Sequence, residues 1–387
     1  MKTSHRLSRL ATDIFSELDQ MKNNYLAEGR DIINLSIGSP DRPPAPHIIE
    51  ALQKGIMDKG KYGYALTDGL PEFKTAVADW YFRRFGVVLD PQKEVLSLMG
   101  SQDGLGHIFL ALLNAGDLAL IPDPGYPIYS TGVILADGEI FSLPLVPENN
   151  YLPDLDRIPL DVALKAKVMV INYPNNPLTA TCDEEFFERV VHFAQKNNVI
   201  VCHDIAYSEL AFDGYRPSSF LEIKGAKEVG VEFHSLSKTY NMAGCRLAFV
   251  VGNSKIINAL RILKSNIDYG VFKAVQLAGI AALTGPDDYV KETALVYQRR
   301  RDILIDGLAS CGWTINKPKA TMFVWAPLPD QSTSSYDFAV KLLDRTGILV
   351  TPGNAFGKMG EGYVRIALVA EEERMREVVK RVSAAGI

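Results

Sequence analysis

The sequence predicts an α/β protein with a large domain on a mostly parallel seven-stranded sheet and a smaller α+β domain. Two observations predict this. From about residue 94, short β-branched and apolar runs alternate with longer helical patterns, and several runs are apolar at every position, which is typical of strands buried on both faces. After residue 285 the order changes to one long helix followed by short strands and helices.

Seven runs in the first region have the length and composition of strands, at 94–99, 118–121, 139–143, 168–172, 199–203, 231–234 and 247–251. The helical patterns between and after them lie at 104–114, 126–136, 183–197 and, as two helices, within 254–283. Because strands alternate with helices, we expect a largely parallel sheet that is covered on both faces.

The second region begins with a helix predicted at 287–310, where three consecutive arginines at 299–301 are expected on a solvated face. Predicted strands and helices follow at 313–315, 322–326, 335–345, 348–350, 363–369 and 371–384. We expect residues 286–387 to form the small domain together with an N-terminal arm, residues 1–40. Residues 41–285 would then form the large domain.

The composition is that of an ordinary globular protein: 47% of the 387 residues are hydrophobic and 22% are charged. The formal net charge is −5 and there is no long basic run, which argues against a nucleic-acid partner. The most apolar stretch, 271–283, is short and contains Lys273, so we expect no membrane span. The first twenty residues lack the apolar core of a secretory signal, which favours a cytoplasmic protein.

Cysteine usage gives no sign of a metal site or a disulfide framework. The four cysteines lie far apart, at positions 182, 202, 245 and 311, with no C-x-x-C pair. That spacing predicts neither a zinc site nor a set of disulfides.

The strongest chemical motif is Ser235-Leu236-Ser237-Lys238, followed eight residues later by Arg246. Arriving from a strand, Ser235 and Ser237 can point the same way, and the planar guanidinium of Arg246 suits phosphate oxygens. Beside such a phosphate cradle, the amine of Lys238 could form a Schiff base with a carbonyl cofactor. Taken alone, the S-x-S-K motif would favour the alternative, a surface turn with a solvated lysine.

Asp204 follows a buried strand directly, and Tyr207 comes three residues later. Ligands of open α/β sheets bind at the carboxyl ends of the strands, and a buried carboxylate there needs a cationic partner. A protonated pyridine nitrogen would supply one, and Tyr207 could bond a phenolate oxygen of the same ring. The alternative for Asp204 is a helix N-cap.

Three further strand ends carry suitable groups. Asn176 lies between prolines in the segment 172–177, which fixes its direction, although a simple turn would explain the motif alone. Ser101 and Gln102 stand at the start of a helix, where free backbone N–H groups bind anions. Tyr126 could stack on a flat ring. No G-x-G-x-x-G follows these strands, so a dinucleotide is not predicted.

The order and spacing of these residues resemble the fold-type I, class I/II pyridoxal-phosphate aminotransferases. The resemblance extends from Ile37-Gly38-Ser39-Pro40 to the segment 363–368. It implies that pyridoxal 5′-phosphate is the cofactor and that the catalytic residues are Lys238, Asp204 and Tyr207. Lys238 would form the Schiff base and carry the proton, and Asp204 would partner the pyridine nitrogen. The further cofactor contacts it implies are Asn176 and Tyr207 at the ring oxygen, Tyr126 on the ring, and Ser101, Gln102, Ser235, Ser237 and Arg246 at the phosphate.

The resemblance also implies how the substrate and a second subunit are bound. Arg365 matches the arginine that holds the substrate α-carboxylate, with Gly38 and Asn176 beside it. Tyr64 resembles a tyrosine that reaches the phosphate of a neighbouring subunit, which implies a homodimer with shared active sites. The substrates would be a small amino acid and a 2-oxo acid.

Within the superfamily, the segments 234–244, 100–104 and 264–272 resemble the LL-diaminopimelate aminotransferases and their aspartate/alanine-type relatives. In that subgroup Asn266 would be a further substrate contact, and 2-oxoglutarate would accept the amino group. Leu178-Thr179, Gln102-Asp103 and Cys245 depart from the common pattern. An aspartate or alanine aminotransferase and a C–S β-lyase remain alternatives, since both would use the same cofactor residues. A non-catalytic regulator is disfavoured, because an added DNA-binding module has no room here.

Overall fold

The computed structural model describes residues 3–10, 14–65 and 69–387. Its strands, numbered in chain order, are β1 Ile33–Asn34, β2 Val95–Leu98, β3 Leu118–Asp123, β4 Glu139–Pro144, β5 Ala166–Asn172, β6 Ile200–Asp204, β7 Gly230–Ser235, β8 Ala248–Gly252, β9 Phe323–Pro327, β10 Ile348–Leu349, β11 Thr351–Pro352 and β12 Tyr363–Ala367. Strands β2 to β8 form one sheet in the order β2-β8-β7-β6-β5-β3-β4. Only β8 runs antiparallel to its neighbours, which confirms the mostly parallel seven-stranded sheet.

The described residues also form helices before, between and after these strands. They are α1 His5–Arg9, α2 Ile14–Ala27, α3 Pro46–Met57, α4 Pro71–Phe85, α5 Ser101–Leu112, α6 Ile128–Leu135, α7 Leu160–Lys165, α8 Glu184–Asn197, α9 Ala226–Val229, α10 Leu236–Thr239, α11 Ser254–Ile267, α12 Lys273–Thr284, α13 Asp288–Ser310, α14 Ser335–Thr346 and α15 Glu372–Ala385. No helix in the described part of the chain is long and apolar enough to cross a membrane.

Apolar clusters cover both faces of the large sheet. One includes Phe73 and Phe186, from α4 and α8, packed with Phe249 of β8. The other joins Phe109 of α5 and Leu260 of α11 to the opposite faces of the same strands. Because both faces are buried, strands such as β5 are apolar along nearly their whole length. This burial leaves the strand ends as the places where polar side chains can meet.

The C-terminal region has its own sheets and core. Strands β11, β12 and β9 form an antiparallel sheet, and β1 pairs in parallel with β10. The N–H of Ala367 also donates to the carbonyl of Leu35. The N-terminal segment therefore pairs with the C-terminal region at β1 and β10, and its assignment to the small domain stays a prediction. The boundaries at residues 40 and 285 stay a prediction.

Three details of the sequence prediction are wrong. The segment 313–315 is not a strand; the side chain of Trp313 is buried there and donates to the carbonyl of Pro327 over 2.7 Å. The predicted strand 348–350 is shorter, because β10 ends at Leu349, and the next residues form a second short strand, β11, in a different sheet. Arg300 and Arg301 are buried rather than solvated, and form ion pairs with Asp41 and Asp213, respectively. The arginine run makes this helix face look solvated in the sequence. A long arginine side chain can nevertheless be buried along its stem while its guanidinium reaches an acidic partner.

Candidate active site

The predicted cofactor residues follow the carboxyl ends of β2, β3, β5, β6 and β7, which lie at one edge of the large sheet. Strand β2 is antiparallel to β8, and β8 to β7, so β2 runs with the parallel strands and its end reaches the same edge. A sheet edge of this kind gathers residues that are far apart in sequence.

Lys238 lies in the one-turn helix α10, whose N-cap Ser235 accepts a hydrogen bond at Oγ from the N–H of Ser237. The Lys238 Nζ donates to the carbonyl of Gly38 over 2.5 Å. Burial, together with the charges of Arg365 and Arg246, lowers the pKa of Lys238 to about 8. A larger fraction of this amine is therefore neutral near pH 7 than for an exposed lysine, and a neutral amine is the nucleophilic form.

Asp204 is buried at the end of β6 and starts no helix, so the N-cap alternative is wrong. Its Oδ2 accepts from the Tyr129 hydroxyl over 2.8 Å and its Oδ1 from the N–H of Ala206 over 3.2 Å. Burial raises the pKa of Asp204, and these two hydrogen bonds act in the opposite direction. The carboxylate therefore has donors but no cation bonded to it among the described residues, which suits a protonated ring nitrogen.

Tyr129 is a site residue that the sequence analysis missed. It lies on α6, three residues after Tyr126, and the two rings meet edge to face with centroids 5.9 Å apart. The i, i+3 spacing after Tyr126 could have indicated that both face the same strand end. Tyr126 itself donates to Oε1 of Gln102 over 3.3 Å, which places it between the ends of β2 and β3.

Asn172, also missed, ties two strand ends together. Its side-chain Nδ2 donates to the backbone carbonyl of Asp204 over 2.7 Å. Its side-chain Oδ1 accepts from the backbone N–H of Asn176 over 2.8 Å. The Asn176 side chain in turn accepts from Arg365 over 2.8 Å. The turn after β5 is therefore fixed to its neighbours on both sides rather than being an independent surface turn.

The helix α5 begins at Ser101, three residues earlier than predicted, with Gly100 as its N-cap at φ +85°. A Cβ atom on Gly100 would lie 2.3 Å from Nη2 of Arg246, so the guanidinium lies against the backbone at the helix start. Free N–H groups, a guanidinium and the hydroxyls of Ser235 and Ser237 make a donor set that fits a phosphate dianion.

Arg365, on β12, is buried between two aromatic rings. Its Cζ lies 4.2 Å from the ring centre of Phe323 and 4.6 Å from that of Phe356. Besides the bond to Asn176, it donates to the carbonyl of Ser36 over 2.6 Å. Its Nε is buried and makes no hydrogen bond in the described structure. This guanidinium, with one N–H still unsatisfied, is suited to a carboxylate.

Tyr207 lies three residues after the end of β6 and is buried. Its ring meets that of Phe323 edge to face, with centroids 5.6 Å apart. Burial raises the pKa of its phenol well above the ordinary value, so the hydroxyl stays protonated and can donate.

Tyr64 and Asn266 lie on the surface instead. Tyr64 is 77% exposed and its ring contacts that of Tyr269, with centroids 5.2 Å apart; residues 66–68 of the same segment lie outside the described residues. The exposed Asn266 donates to the carbonyl of Ile262 over 2.8 Å. Neither forms a hydrogen bond with a site residue in the described part of the chain.

A seven-stranded, mostly parallel sheet with these groups at one edge defines a fold-type I transferase of the kind that depends on pyridoxal phosphate. A sequence model of the family Aminotransferase class I and II matches residues 30–382. The chain belongs to this family and is an enzyme that transfers amino groups.

Known relatives cover almost the whole chain. It is 53% identical to the LL-diaminopimelate aminotransferase of Syntrophobacter fumaroxidans, over 98% of this chain and 97% of the relative. The enzyme of the same name from Moorella thermoacetica is 50% identical, over 99% and 98% of the two chains. Among solved structures, substrate-bound BacF from Bacillus subtilis superposes with a TM-score of 0.96 at 39% identity, covering 99% of this chain and 98% of BacF.

Proposed function

We propose that this enzyme transfers the α-amino group of LL-diaminopimelate to 2-oxoglutarate, with pyridoxal phosphate as its cofactor. The observation that carries the proposal is the identity of about half of all residues, over nearly the full length, with enzymes named LL-diaminopimelate aminotransferase. The family depends on this cofactor in general, and the donors at the sheet edge fit its phosphate, its ring nitrogen and its ring oxygen.

When bound, the cofactor supplies a carbonyl carbon for the amino group and a pyridine ring that withdraws electrons from the substrate α-carbon. The amine of Lys238 would attach the cofactor and then move a proton to and from that carbon. Asp204, supported by Tyr129, would hold a proton at the ring nitrogen. Tyr126 would stack on the ring, and the hydroxyl of Tyr207 and the amide of Asn176 would bind its oxygen.

The cradle at the starts of α5 and α10 would bind the phosphate through Ser101, the backbone of Gln102, Ser235, Ser237 and Arg246. At the other end of the site, Arg365 would bind the substrate α-carboxylate through its unsatisfied Nε. The carbonyl of Gly38 accepts from Lys238 in this structure, and Gly38 lies against Phe323, whose ring packs on Arg365.

The far end of LL-diaminopimelate carries both an ammonium and a carboxylate. The groups proposed to meet it are Asn266, Tyr126 and the backbone near Gly38, all of them neutral. Neutral donors and acceptors suit a zwitterionic end, whereas the single carboxylate of aspartate would favour another arginine, because a buried charge without a partner is unstable.

We further propose a homodimer in which Tyr64 reaches the partner's phosphate site and Asn266 its substrate site. An exposed aromatic patch supports this: Tyr64 packs on Tyr269, and Tyr62 on Phe272 with centroids 5.5 Å apart. Exposed apolar patches of this kind mark interaction surfaces. The division into an arm, a large domain and a small domain, and a cytoplasmic location, belong to the same proposal.

The test compares kcat/KM for LL-diaminopimelate, aspartate, alanine and aromatic amino acids, with 2-oxoglutarate as acceptor and Lys238→Ala as the inactive control. We expect kcat/KM to be highest for LL-diaminopimelate. If aspartate or alanine leads by about tenfold, equivalent to about 1.4 kcal/mol in the transition state, the substrate assignment is wrong and the aminotransferase class stands. Release of ammonia and pyruvate from a cystathionine-like substrate would instead favour a β-lyase.

A further inference from the structure

Lys264, on α11, is a buried lysine that the proposed reaction does not use. Only 5% of its surface is exposed. Its Nζ lies 2.5 Å from Oδ2 of Asp103 and 2.8 Å from Oδ2 of Asp268, so one ammonium lies between two carboxylates. Buried charges of this kind need partners, and each member of this triad has one.

Asp103 lies in the first turn of α5, next to the cradle residues Ser101 and Gln102. Its Oδ2 also accepts from the N–H of Met99 over 2.9 Å, and its Oδ1 lies 2.7 Å from Nδ1 of His107. Burial acts to raise the pKa of Asp103, but the contacts with His107 and Lys264 outweigh it and lower the pKa to about 2. The carboxylate is therefore ionised at neutral pH.

The position of Asp103 has two opposing effects on the phosphate cradle. By accepting from Met99, Asp103 fixes the backbone around Gly100 and hence the direction of the N–H groups at the helix start. However, Asp103 follows Ser101, the first residue of the cradle, by only two residues on the same helix turn, and a negative charge near a phosphate site repels the dianion. The Lys264 ammonium, in direct contact with Asp103, offsets that charge.

We propose that Lys264 is a positioning residue for the cofactor phosphate: it neutralises Asp103, so that Asp103 can order the cradle without repelling the anion bound there. The inference rests on the proposed function, since it takes the bound anion to be the phosphate of pyridoxal phosphate. Lys264 also pairs with Asp268, whose Oδ1 accepts from the N–H of Gly270. This hydrogen bond fixes the turn that carries Tyr269.

The test uses Lys264→Met, which keeps an unbranched side chain only one heavy atom shorter and removes its charge. Apoenzyme is titrated with pyridoxal phosphate and, separately, with pyridoxal, which lacks the phosphate; dissociation constants are read from absorbance. We expect the constant for pyridoxal phosphate to rise about tenfold or more, and that for pyridoxal to change less than about twofold. Lys255→Met, on an exposed position of the same helix, is the matched control and should change neither.

Two further variants separate charge compensation from a merely structural role. In Asp103→Asn/Lys264→Met the amide oxygen can still accept from Met99, so we expect most of the affinity for pyridoxal phosphate to return. Asp103→Asn alone should bind the cofactor at least as tightly as the wild type, and it keeps the proposal testable if Lys264→Met does not fold.

Equal losses for the two ligands in Lys264→Met, no loss for either, or weaker cofactor binding in Asp103→Asn would each overturn the proposal. A wild-type apoenzyme that binds no pyridoxal phosphate would instead contradict the proposed function. The two failures are thus distinguishable.

Discussion

The hydroxyl of Tyr129 donates to the carboxylate of Asp204 over 2.8 Å, and both groups are buried. We expect Tyr129→Phe to lower kcat/KM about tenfold or more and to weaken cofactor binding, because a hydrogen bond to a charged group contributes about 1.5–3 kcal/mol. The ring packing against Tyr126 should survive, so the free energy of unfolding of the apoenzyme should fall by no more than this one hydrogen bond contributes. Steady-state kinetics and thermal unfolding measure these effects. Wild-type kinetics in this variant would show that Asp204 does not depend on Tyr129.

Gly38 lies against Phe323, the ring that packs on Arg365. A Cβ on Gly38 would come within 2.3 Å of that ring, so Gly38→Ala must displace either the loop or the ring. We expect kcat/KM to fall about tenfold or more for every amino acid, with cofactor affinity unchanged. Gly244→Ala is the matched control, because its Cβ would meet no atom within 4 Å. Equal kinetics in the two variants would contradict the prediction.

Replacing Arg365 by lysine keeps a charge but loses the planar fork and the packing between Phe323 and Phe356. Arg365→Lys should therefore lower kcat/KM for all amino acid substrates while the dissociation constant of the cofactor stays close to the wild-type value. Kinetics and an absorbance titration measure the two quantities. An unchanged kcat/KM would remove Arg365 from the substrate site.

The low pKa of Lys238 has a direct consequence for its reactivity. Its pKa is about 8, so the amine loses its proton at lower pH than an exposed lysine. Since only the neutral amine is acetylated, trace labelling of the apoenzyme with acetic anhydride should reach half its maximum at Lys238 near pH 8, and at exposed lysines near pH 10. Arg365→Met should shift the Lys238 midpoint upward, because Arg365 is one cause of the low pKa. Coincident midpoints for all lysines would refute this.

Glu232 is a fully buried carboxylate in the middle of β7 that accepts four hydrogen bonds. The donors are the hydroxyls of Tyr81 and Ser219, the N–H of Phe220 and Nδ1 of His203. Glu232→Gln would turn an amide NH₂ toward some of these donors, so the free energy of unfolding should fall by about 3–5 kcal/mol. Urea unfolding measures it.

The control for Glu232 is Glu292→Gln, which breaks the exposed ion pair with Arg42 and should cost less than about 1 kcal/mol. A loss of similar size in the two variants would show that the buried network contributes little.

The sequence predicts the large sheet well because its strands are buried on both faces and their β-branched runs are distinct from the helical patterns around them. The prediction of strands is wrong where a segment is buried but its backbone does not pair with another strand. The segment 313–315 is apolar because Trp313 and Ile315 enter the core, but its backbone pairs with no strand. Likewise, no local signal in the sequence shows that the chain changes partner between β10, which pairs with β1, and β11, which pairs with β12.

For the site, motifs at the strand ends indicate the residues that would touch a cofactor, but not those that hold them. Tyr129 belongs to no motif, and Asn172 only begins the segment that carries Asn176; what each residue holds depends on contacts across strands. Lys264 is similar: in the sequence it is one more lysine on a helix, and only the fold brings it to Asp103. Tyr64 and Asn266 remain predictions, since their proposed contacts lie on a second subunit.

The pairing of β2 with β8 places constraints on the order of events during synthesis. β2 lies at the edge of the sheet, and its partner strand, where Val251 pairs with Val95, emerges from the ribosome much later. Until then, the helix start at Gly100 has no fixed position against Arg246, and Arg365 follows later still. The donor set around Gly100 and Arg246 is therefore incomplete until β8 has been synthesised and has paired with β2, and the position of Arg365 is added only after that.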